Sequence, residues 1–573
     1  MSLADLTRVS PVWIWITERI WRVEHAFEHA KAQRKEQDTT YRIFFVLVMF
    51  ACGFGALGLG AIGKALLFDD GRGGGVSSAA VARADIVDRN GRLLAMDLVH
   101  YGAYLDPSQV WDKAETQRAL TGALPGVSPE RIARALASDR RTYLARGLTP
   151  EEKQKLHDLG LPGLDFEPEE HRVYVTGATA SHLIGFTDSG GKGLSGAERG
   201  LEGLVTQNGA KGQPVALSID LRVQGALEEE LAAGAAKFNP HGAVGVVTDI
   251  HTGEILALAS WPDFDPNKPS GADDNQKLNR AAASVFEMGS TFKAFTVAIG
   301  LDTKVATPSS TFDARQPLKM GYRTIHDYHG TNRILTLVEV FNHSSNIGTA
   351  KLAEAIGPAR LAGYFKALGL TRPAAVELRE SARPLAPKKW DEDDIASVSF
   401  GHGIDVSPLT LATAMGAVLN GGELIPLTIQ KREPGYRPKG QRVISTETSE
   451  TMLKIMRANV VGGTGRSADA PGLNVGGKTG TGEKFDPAIR RYSGYKQVAS
   501  FASVFPTDGP IDAKRYFVLI LMDEPQGGLR TGGIVSAPVA GRVIDRIAPF
   551  LGVPRRAPTP APFALAKVDG AEH

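Results

Sequence analysis

The most constraining feature of the chain is an uncharged apolar run near its start. Residues 43–63 read IFFVLVMFACGFGALGLGAIG, 21 residues without a single charge. At 1.5 Å per residue a helix of that length spans about 30 Å, the thickness of a hydrocarbon core. A cleaved leader is expected to have a shorter apolar run behind a short basic start, whereas 42 residues precede this one. The run therefore predicts a single N-terminal transmembrane helix, here bounded as 43–66. Lys31, Arg34, Lys35 and Arg42 stand before it and only Lys64 and Arg72 soon after, so the rule that basic residues stay inside places residues 1–42 in the cytoplasm. Everything from about residue 69 is then expected outside it. Ala51/Gly55 and Ala56/Gly60 are small pairs at a spacing that can seat another helix. The preceding stretch PVWIWITERIWRVEHAFEHA, with Trp13, Trp15 and Trp21, suits the membrane interface.

DDGRGGGVSS (Asp69–Ser78) is a flexible linker by composition. Beyond it the chain is globular in character, 42% apolar and 22% charged, and long enough for several domains. A net charge of +2 gives no reason to expect nucleic acid as a partner. The one cysteine, Cys52, excludes an internal disulfide and a cysteine-built metal or redox centre. RADIVDRNGRLLA (Arg83–Ala95) reads as a hairpin around an Asn-Gly turn. Val215–Ile219 reads as a strand, Leu221–Lys237 as a helix, and Ala243–Ser260 as two strands around a turn at His251–Gly253. QVASFASVFP and RYFVLILMDEP are further strands. The repeated glycines of GLSGAERGLEGLV suggest turns. No crossover helix separates the paired strands, which predicts an antiparallel sheet with helices packed on it. The tail PRRAPTPAPFALAKVDGAEH is rich in Pro and Ala and is expected to be disordered.

In EMGSTFKAF (Glu287–Phe295), Ser290 precedes Lys293 by three residues, on one helical face. Serine at a helix start is ordinary capping chemistry, so the tetrapeptide alone says little. The residues after it are almost all apolar, the pattern of a buried helix. Burial lowers a lysine's pKa, and a neutral Lys293 could take the Ser290 proton, as an acyl-transfer nucleophile requires. Two further elements follow, Ser344-Ser345-Asn346 at a helix start and Lys478-Thr479-Gly480-Thr481 at a strand edge. Singly these read as a cap and a turn; the ordered triple is far rarer.

With that triple the chain resembles the class B penicillin-binding proteins, peptidoglycan D,D-transpeptidases, and most of all their division-specific FtsI-type branch. RADIVDRNGRLLA and GLSGAE (Gly193–Glu198) resemble motifs of the family's non-catalytic pedestal. TGEILALASWPDFDPN, FGHGIDVSP (Phe400–Pro408), NGG (Asn420–Gly422), GTGRSA (Gly463–Ala468) and KTGTGEK resemble its transpeptidase domain. Ala84, Met288 and Thr410 depart from the family's usual Gly, Pro and Gln without removing a reactive group.

The resemblance implies a multidomain α+β chain: cytoplasmic segment 1–42, transmembrane helix 43–66, linker 67–80, elongated α+β pedestal 81–215, a serine β-lactamase/transpeptidase-like domain 216–552 with an antiparallel sheet flanked by helices, and tail 553–573. It implies Ser290 as nucleophile, Lys293 as proton acceptor, Ser344 as relay to the leaving amine, Lys478 as electrostatic tuner and Asn346 as holder of the substrate amide. Thr479, Gly480 and Thr481 would bind the terminal carboxylate, and the N–H groups of Ser290 and Thr481 would form the oxyanion hole. No metal or other cofactor is implied. Implied partners are peptidoglycan stem peptides, β-lactams, the inner membrane, a membrane glycosyltransferase and other division proteins, with catalysis in the periplasm. An elongation role, a hydrolase (D,D-carboxypeptidase or β-lactamase type) and an inactive division scaffold are the competing readings.

Overall fold

The computed structural model describes residues 83–557 except 322, 329, 487–490 and 529, together with 15, 18–23, 48–51, 54 and 563. The expected cytoplasmic segment, anchor and linker and most of the tail lie outside the described residues; of them, 15, 18–23, 48–51 and 54 are helical. Among the described residues no helix is long and apolar enough to cross a membrane. The chain divides into two compact units, 1–79 and 80–573, and every strand among the described residues belongs to the second.

The first layer of this second unit is the hairpin that Asn90-Gly91 predicts. Strand β1 (Ile86–Val87) turns at Gly91, whose φ of +81° suits glycine, into the long strand β2 (Leu93–Leu105). Asp88 holds the turn by accepting from the N–H groups of Asn90 (2.8 Å) and Arg92 (2.9 Å). β3 (Thr142–Leu148) and β4 (Leu164–Tyr174) flank β2, and β5 (Val215–Ala216) pairs with β1 in parallel. β5 is shorter than the expected Val215–Ile219. Beyond it Leu217 makes only a single bridge to Gln430, and Asp220 caps the next helix.

A buried ionic cluster ties the two pedestal motifs together. Glu198, fully buried, accepts from Arg83 Nη2 (2.5 Å) and Arg172 Nε (2.7 Å), and Arg172 also reaches Asp97 at 3.1 Å. Removing Glu198 would take from both buried arginines the carboxylate they share, a loss of about 3–5 kcal/mol. The glycine-rich stretch around Glu198 is not mere turns. It forms short helices at Gly196–Gly200 and Glu202–Gly209, which bring Glu198 and Glu202 to Arg83.

The second layer begins with α1 (Leu221–Phe238), capped by Asp220, and the strands β6 (Gly242–Asp249) and β7 (Ile255–Trp261). Next come α2 (Lys293–Asp302), α3 (Asn346–Ile356), α4 (Pro408–Leu419) and α5 (Thr446–Gly462). β8 (Gly476–Asp486), β9 (Arg491–Phe505), β10 (Tyr516–Asp523) and α6 (Gly532–Ile547) complete it. The sheet runs β8-β9-β10-β6-β7 with antiparallel neighbours throughout.

β10 is central and buried along its whole length, so its sequence lacks polar alternation. Its side chains still divide by parity. Phe517, Leu519 and Leu521 join the core that holds α2, α4 and α5. Val518, Ile520 and Met522 join the core under α1 and α6. Two helical layers thus sandwich the sheet, and β8, which carries Lys478, is left at its edge.

Candidate active site

The site forms where a tight turn is laid against that edge strand. Gly289–Phe292 is a single 3₁₀ turn leading into α2, so Ser290 stands one turn earlier than the α-helix proper and Lys293 is its first residue. The turn and strand touch through backbone. Gly289 has φ +54°, and a Cβ there would meet the Thr481 carbonyl oxygen at 2.2 Å. A Cβ at Gly480 would meet the Met288 carbonyl oxygen at 2.3 Å. The glycines of both motifs are therefore what lets the nucleophile turn and the KTGT strand come together.

The serine-serine-asparagine element splits its work. Ser345 does the capping: its Oγ accepts from the Gly348 N–H (3.0 Å) and donates to Asp327 Oδ2 (2.7 Å). Its neighbours are thereby left for the cleft. Ser344 has φ +57°, an uncommon left-handed conformation for serine, between the helix Leu337–Asn342 and α3. Asn346 donates to the His326 carbonyl oxygen at 3.0 Å and accepts from Lys293 Nζ at 2.7 Å.

Lys293 and Lys478 are both fully buried and share one hydroxyl. Ser344 Oγ lies 3.2 Å from Lys293 Nζ and 3.0 Å from Lys478 Nζ. Lys293 Nζ also donates to the Ser344 carbonyl oxygen, and Lys478 Nζ to that of Thr479 at 3.1 Å. Lys478 Nζ lies 5.7 Å from the centre of the Phe341 ring.

Loss of hydration pulls Lys293 well below its ordinary range. The neighbouring Lys478 charge adds to this and Asp327 opposes it. Burial lowers Lys478 to about 7. Two ammonium ions this close do not coexist cheaply, so at neutral pH at most one of the pair is charged, and we place the neutral amine at Lys293. A neutral Lys293 has two N–H bonds. The Ser344 carbonyl and Asn346 Oδ1 can only accept and occupy both, which leaves the lone pair for a hydroxyl.

Ser290 itself is half-buried, and its hydroxyl has no hydrogen-bond partner among the described residues. The Lys293–Ser344–Lys478–Asn346 network is thus assembled while the Ser290 hydroxyl stays uncommitted. On the anion side, the Thr481 hydroxyl oxygen accepts from the Gly532 N–H at 3.2 Å, at the N-terminus of α6, where positive helix-end charge favours an anion. Thr479 Oγ1 lies 2.8 Å from Thr464 Oγ1.

Three contributors were not identified from sequence. Thr464 belongs to the quoted GTGRSA stretch, but only its pairing with Thr479 shows a role. Asp327, which fixes Ser345 and the Ile347 N–H (2.9 Å), carries no motif of its own. Glu287 accepts from Tyr492 Oη (2.7 Å) and from the Gly403 N–H (2.8 Å), joining the nucleophile segment to the start of β9 and to the loop before Asp405. Asp405 stands directly opposite it in a two-residue strand pair, and burial raises both carboxyls to about 6.

The pattern of the family described as "Penicillin binding protein transpeptidase domain" matches residues 243–545, and that of the "Penicillin-binding Protein dimerisation domain" matches 78–202. The chain is 62% identical over 558 residues to the "Probable peptidoglycan D,D-transpeptidase FtsI" of Caulobacter vibrioides, covering 96% of this chain and 95% of that one. It is 31% identical over 504 residues to the "Peptidoglycan D,D-transpeptidase FtsI" of Escherichia coli K12, covering 82% and 84%. In fold it is similar to penicillin binding protein 3 of Mycobacterium tuberculosis solved with aztreonam: TM-score 0.65, 24% identity, 83% of this chain and 98% of that one. Transpeptidase pattern, dimerisation pattern and end-to-end likeness agree: the chain belongs to the penicillin-binding proteins, in their FtsI-type class B branch.

Proposed function

We propose that the chain cross-links peptidoglycan as a serine D,D-transpeptidase of the FtsI type and that β-lactams acylate it. The observation that carries the reading is the convergence of Lys293, Ser344, Asn346 and Lys478 into one hydrogen-bonded chain, Asn346 to Lys293 to Ser344 to Lys478, beside the turn that bears Ser290.

In this reading Ser290 attacks the carbonyl between the last two D-alanines of a stem peptide. Lys293 accepts the hydroxyl proton, and the N–H groups of Ser290 and Thr481 receive the oxyanion; losing one such donor costs about 10²–10³ in rate. Ser344, bonded to both lysines, returns the proton to the departing D-alanine amine. Lys478 tunes the network electrostatically, Thr479, Gly480 and Thr481 hold the terminal carboxylate and Asn346 the peptide amide. The amine of a second stem peptide then attacks the acyl-serine ester, forms the new peptide bond and frees Ser290. A β-lactam leaves an ester in which the departing nitrogen stays attached, so the adduct persists.

Ser290→Ala should abolish labelling by a fluorescent penicillin while leaving the thermal transition in place; labelling that persists refutes the nucleophile. Decay of the wild-type adduct within minutes would favour the hydrolase reading.

The apolar run at 43–66 supports an inner-membrane anchor, with 1–42 cytoplasmic, 67–80 as linker, and pedestal (81–215), transpeptidase domain (216–552) and tail (553–573) periplasmic. A chain lacking 1–66 is expected in the soluble fraction. The FtsI names of the relatives favour septal synthesis alongside a membrane glycosyltransferase and other division proteins. A fluorescent fusion is expected at midcell, and side-wall signal would favour elongation.

A further inference from the structure

Away from the cleft, a groove of about 530 Å³ opens beside the helix Pro358–Ala367. Lys366, Arg383 and Lys388 stand on its rim, Trp390 forms one wall, and Ala362 and Gly363 contribute to its lining. No acidic side chain lines it. All three cations are exposed, and among the described residues none of them has a carboxylate partner. The next residue, Lys389, adds a fourth exposed charge. Gathering like charges around a concavity raises the local potential, and although Asp391, Glu392, Asp393 and Asp394 follow directly on Trp390, none of them lines the groove, so an anionic ligand can meet the rim cations there.

The other wall has its own character. Trp390 packs edge-on against Phe365, with centroids 5.7 Å apart at 83°, and stays half-buried. A partly open indole beside Ala and Gly makes a flat apolar step. A sugar ring can lie on such a step by its C–H face, while its acidic substituents reach the rim. Arginine and lysine on that rim suit carboxylates, the former in bidentate fashion. The indole is half-buried and packed edge-on against Phe365, which favours a glycan lying on it over insertion into acyl chains.

We propose that this groove binds an anionic glycan: a peptidoglycan strand whose sugars lie on Trp390 and whose stem-peptide carboxylates meet Lys366, Arg383 and Lys388. The proposal rests on the peptidoglycan reading and adds to it a second hold on the polymer, apart from the reactive cleft.

The test must spare Trp390. Phe365 behind it touches Phe292 at 5.9 Å, and Phe292 is part of the Ser290 turn, so emptying the indole site would disturb the nucleophile. The exposed cations can be reversed instead. Full-length protein in detergent micelles is first acylated with penicillin, which closes the cleft, and then titrated with purified un-cross-linked peptidoglycan strands. Wild type is expected to bind them with an affinity that falls as salt rises. The triple variant Lys366→Glu/Arg383→Glu/Lys388→Glu should bind about tenfold or more weakly, since attraction becomes repulsion. Its penicillin acylation rate should stay within about twofold of wild type, because the rim touches no reactive group. Strands whose stem-peptide carboxylates have been converted to amides should bind the wild type as weakly as intact strands bind the variant. Equal affinity of wild type and variant overturns the proposal, as does failure of the acylated wild type to bind strands. Binding to phosphatidylglycerol vesicles, lost in the variant, with no strand binding would assign the groove to lipid and overturn it as well. Failure of the transpeptidase reading would appear separately, as wild type that penicillin does not acylate.

Discussion

Gly480→Ala probes whether contact between strand and turn sets the position of the nucleophile. The added carbon would sit 2.3 Å from the Met288 carbonyl oxygen, 2.4 Å from Ser500 Oγ and 2.8 Å from Thr291 Cγ2. The Ser500 side chain can swing aside, but a backbone carbonyl two residues before Ser290 cannot move without the turn. An unstrained carbon–oxygen contact is about 3.3 Å, so strand and turn must part by roughly 1 Å. Misplacement of that size costs about 10²-fold in rate, or about 2.7 kcal/mol of transition-state stabilisation. Overpacking adds a stability loss of about 1–3 kcal/mol, which a large domain survives at 25 °C. The assay is the second-order rate constant for acylation by a fluorescent penicillin, read beside the thermal transition. The expectation is about a hundredfold slower acylation of folded protein, with no rescue by Ser500→Gly, since that relieves only the contact that can already yield. Acylation within threefold of wild type would refute the reasoning, for it would mean that turn and strand do not locate each other.

The carboxyl pair Glu287/Asp405 makes stability depend on pH. Both folded values, about 6, exceed the ordinary 4.5 and 3.8, so between about pH 4 and 6 the folded state binds more protons than the unfolded one and stability from this source is gained as pH falls. Glu287→Gln lacks its share of this gain, so its stability relative to wild type should drop by about 1–2 kcal/mol between pH 7.5 and 5, seen as diverging melting temperatures; a constant difference contradicts it. Lys478, at about 7, loses its proton as pH rises, so acylation by a carboxylate-bearing β-lactam should fall about tenfold from pH 7 to 9 as the cleft loses positive charge. A flat profile would show that the Lys478 charge does not tune the site. Thr464→Val deprives Thr479 of its 2.8 Å partner and should slow acylation about fivefold, the value of one hydrogen bond, with Thr464→Ser near wild type; equal loss in both variants would point to packing instead.

What the sequence disclosed was local. The Asn90-Gly91 hairpin, α1 and the strands on either side of His251–Gly253 follow from turn chemistry and apolar patterning within a dozen residues, and the structure has them. Ser290, Lys293, Ser344, Asn346 and Lys478 were legible as three spaced motifs, and the structure brings the last four into one hydrogen-bonded group. The division of labour inside Ser344-Ser345-Asn346 was not legible. It depends on the left-handed backbone at Ser344 and on Asp327, a partner from a different loop. Thr464, Tyr492 and Gly403 were hidden for the same reason, since each acts across a contact that only tertiary folding creates. KTGT reads as a turn because of its glycine, yet it lies within β8, where Gly480 is needed for the turn that crosses it.

The order of strands also bears on how the protein is made. β6, near residue 245, has β10 as its neighbour, and β10 is completed only at Asp523, about two hundred and eighty residues further along the chain. β8 and its lysine are joined to β6 and β7 only through β9 and β10. A chain that stops before residue 516 therefore lacks β10, and the β8–β9 pair on which the Ser290 turn rests is parted from β6 and β7. Such fragments should be inert toward penicillin, because Lys478 would stand on a strand pair parted from the rest of the sheet.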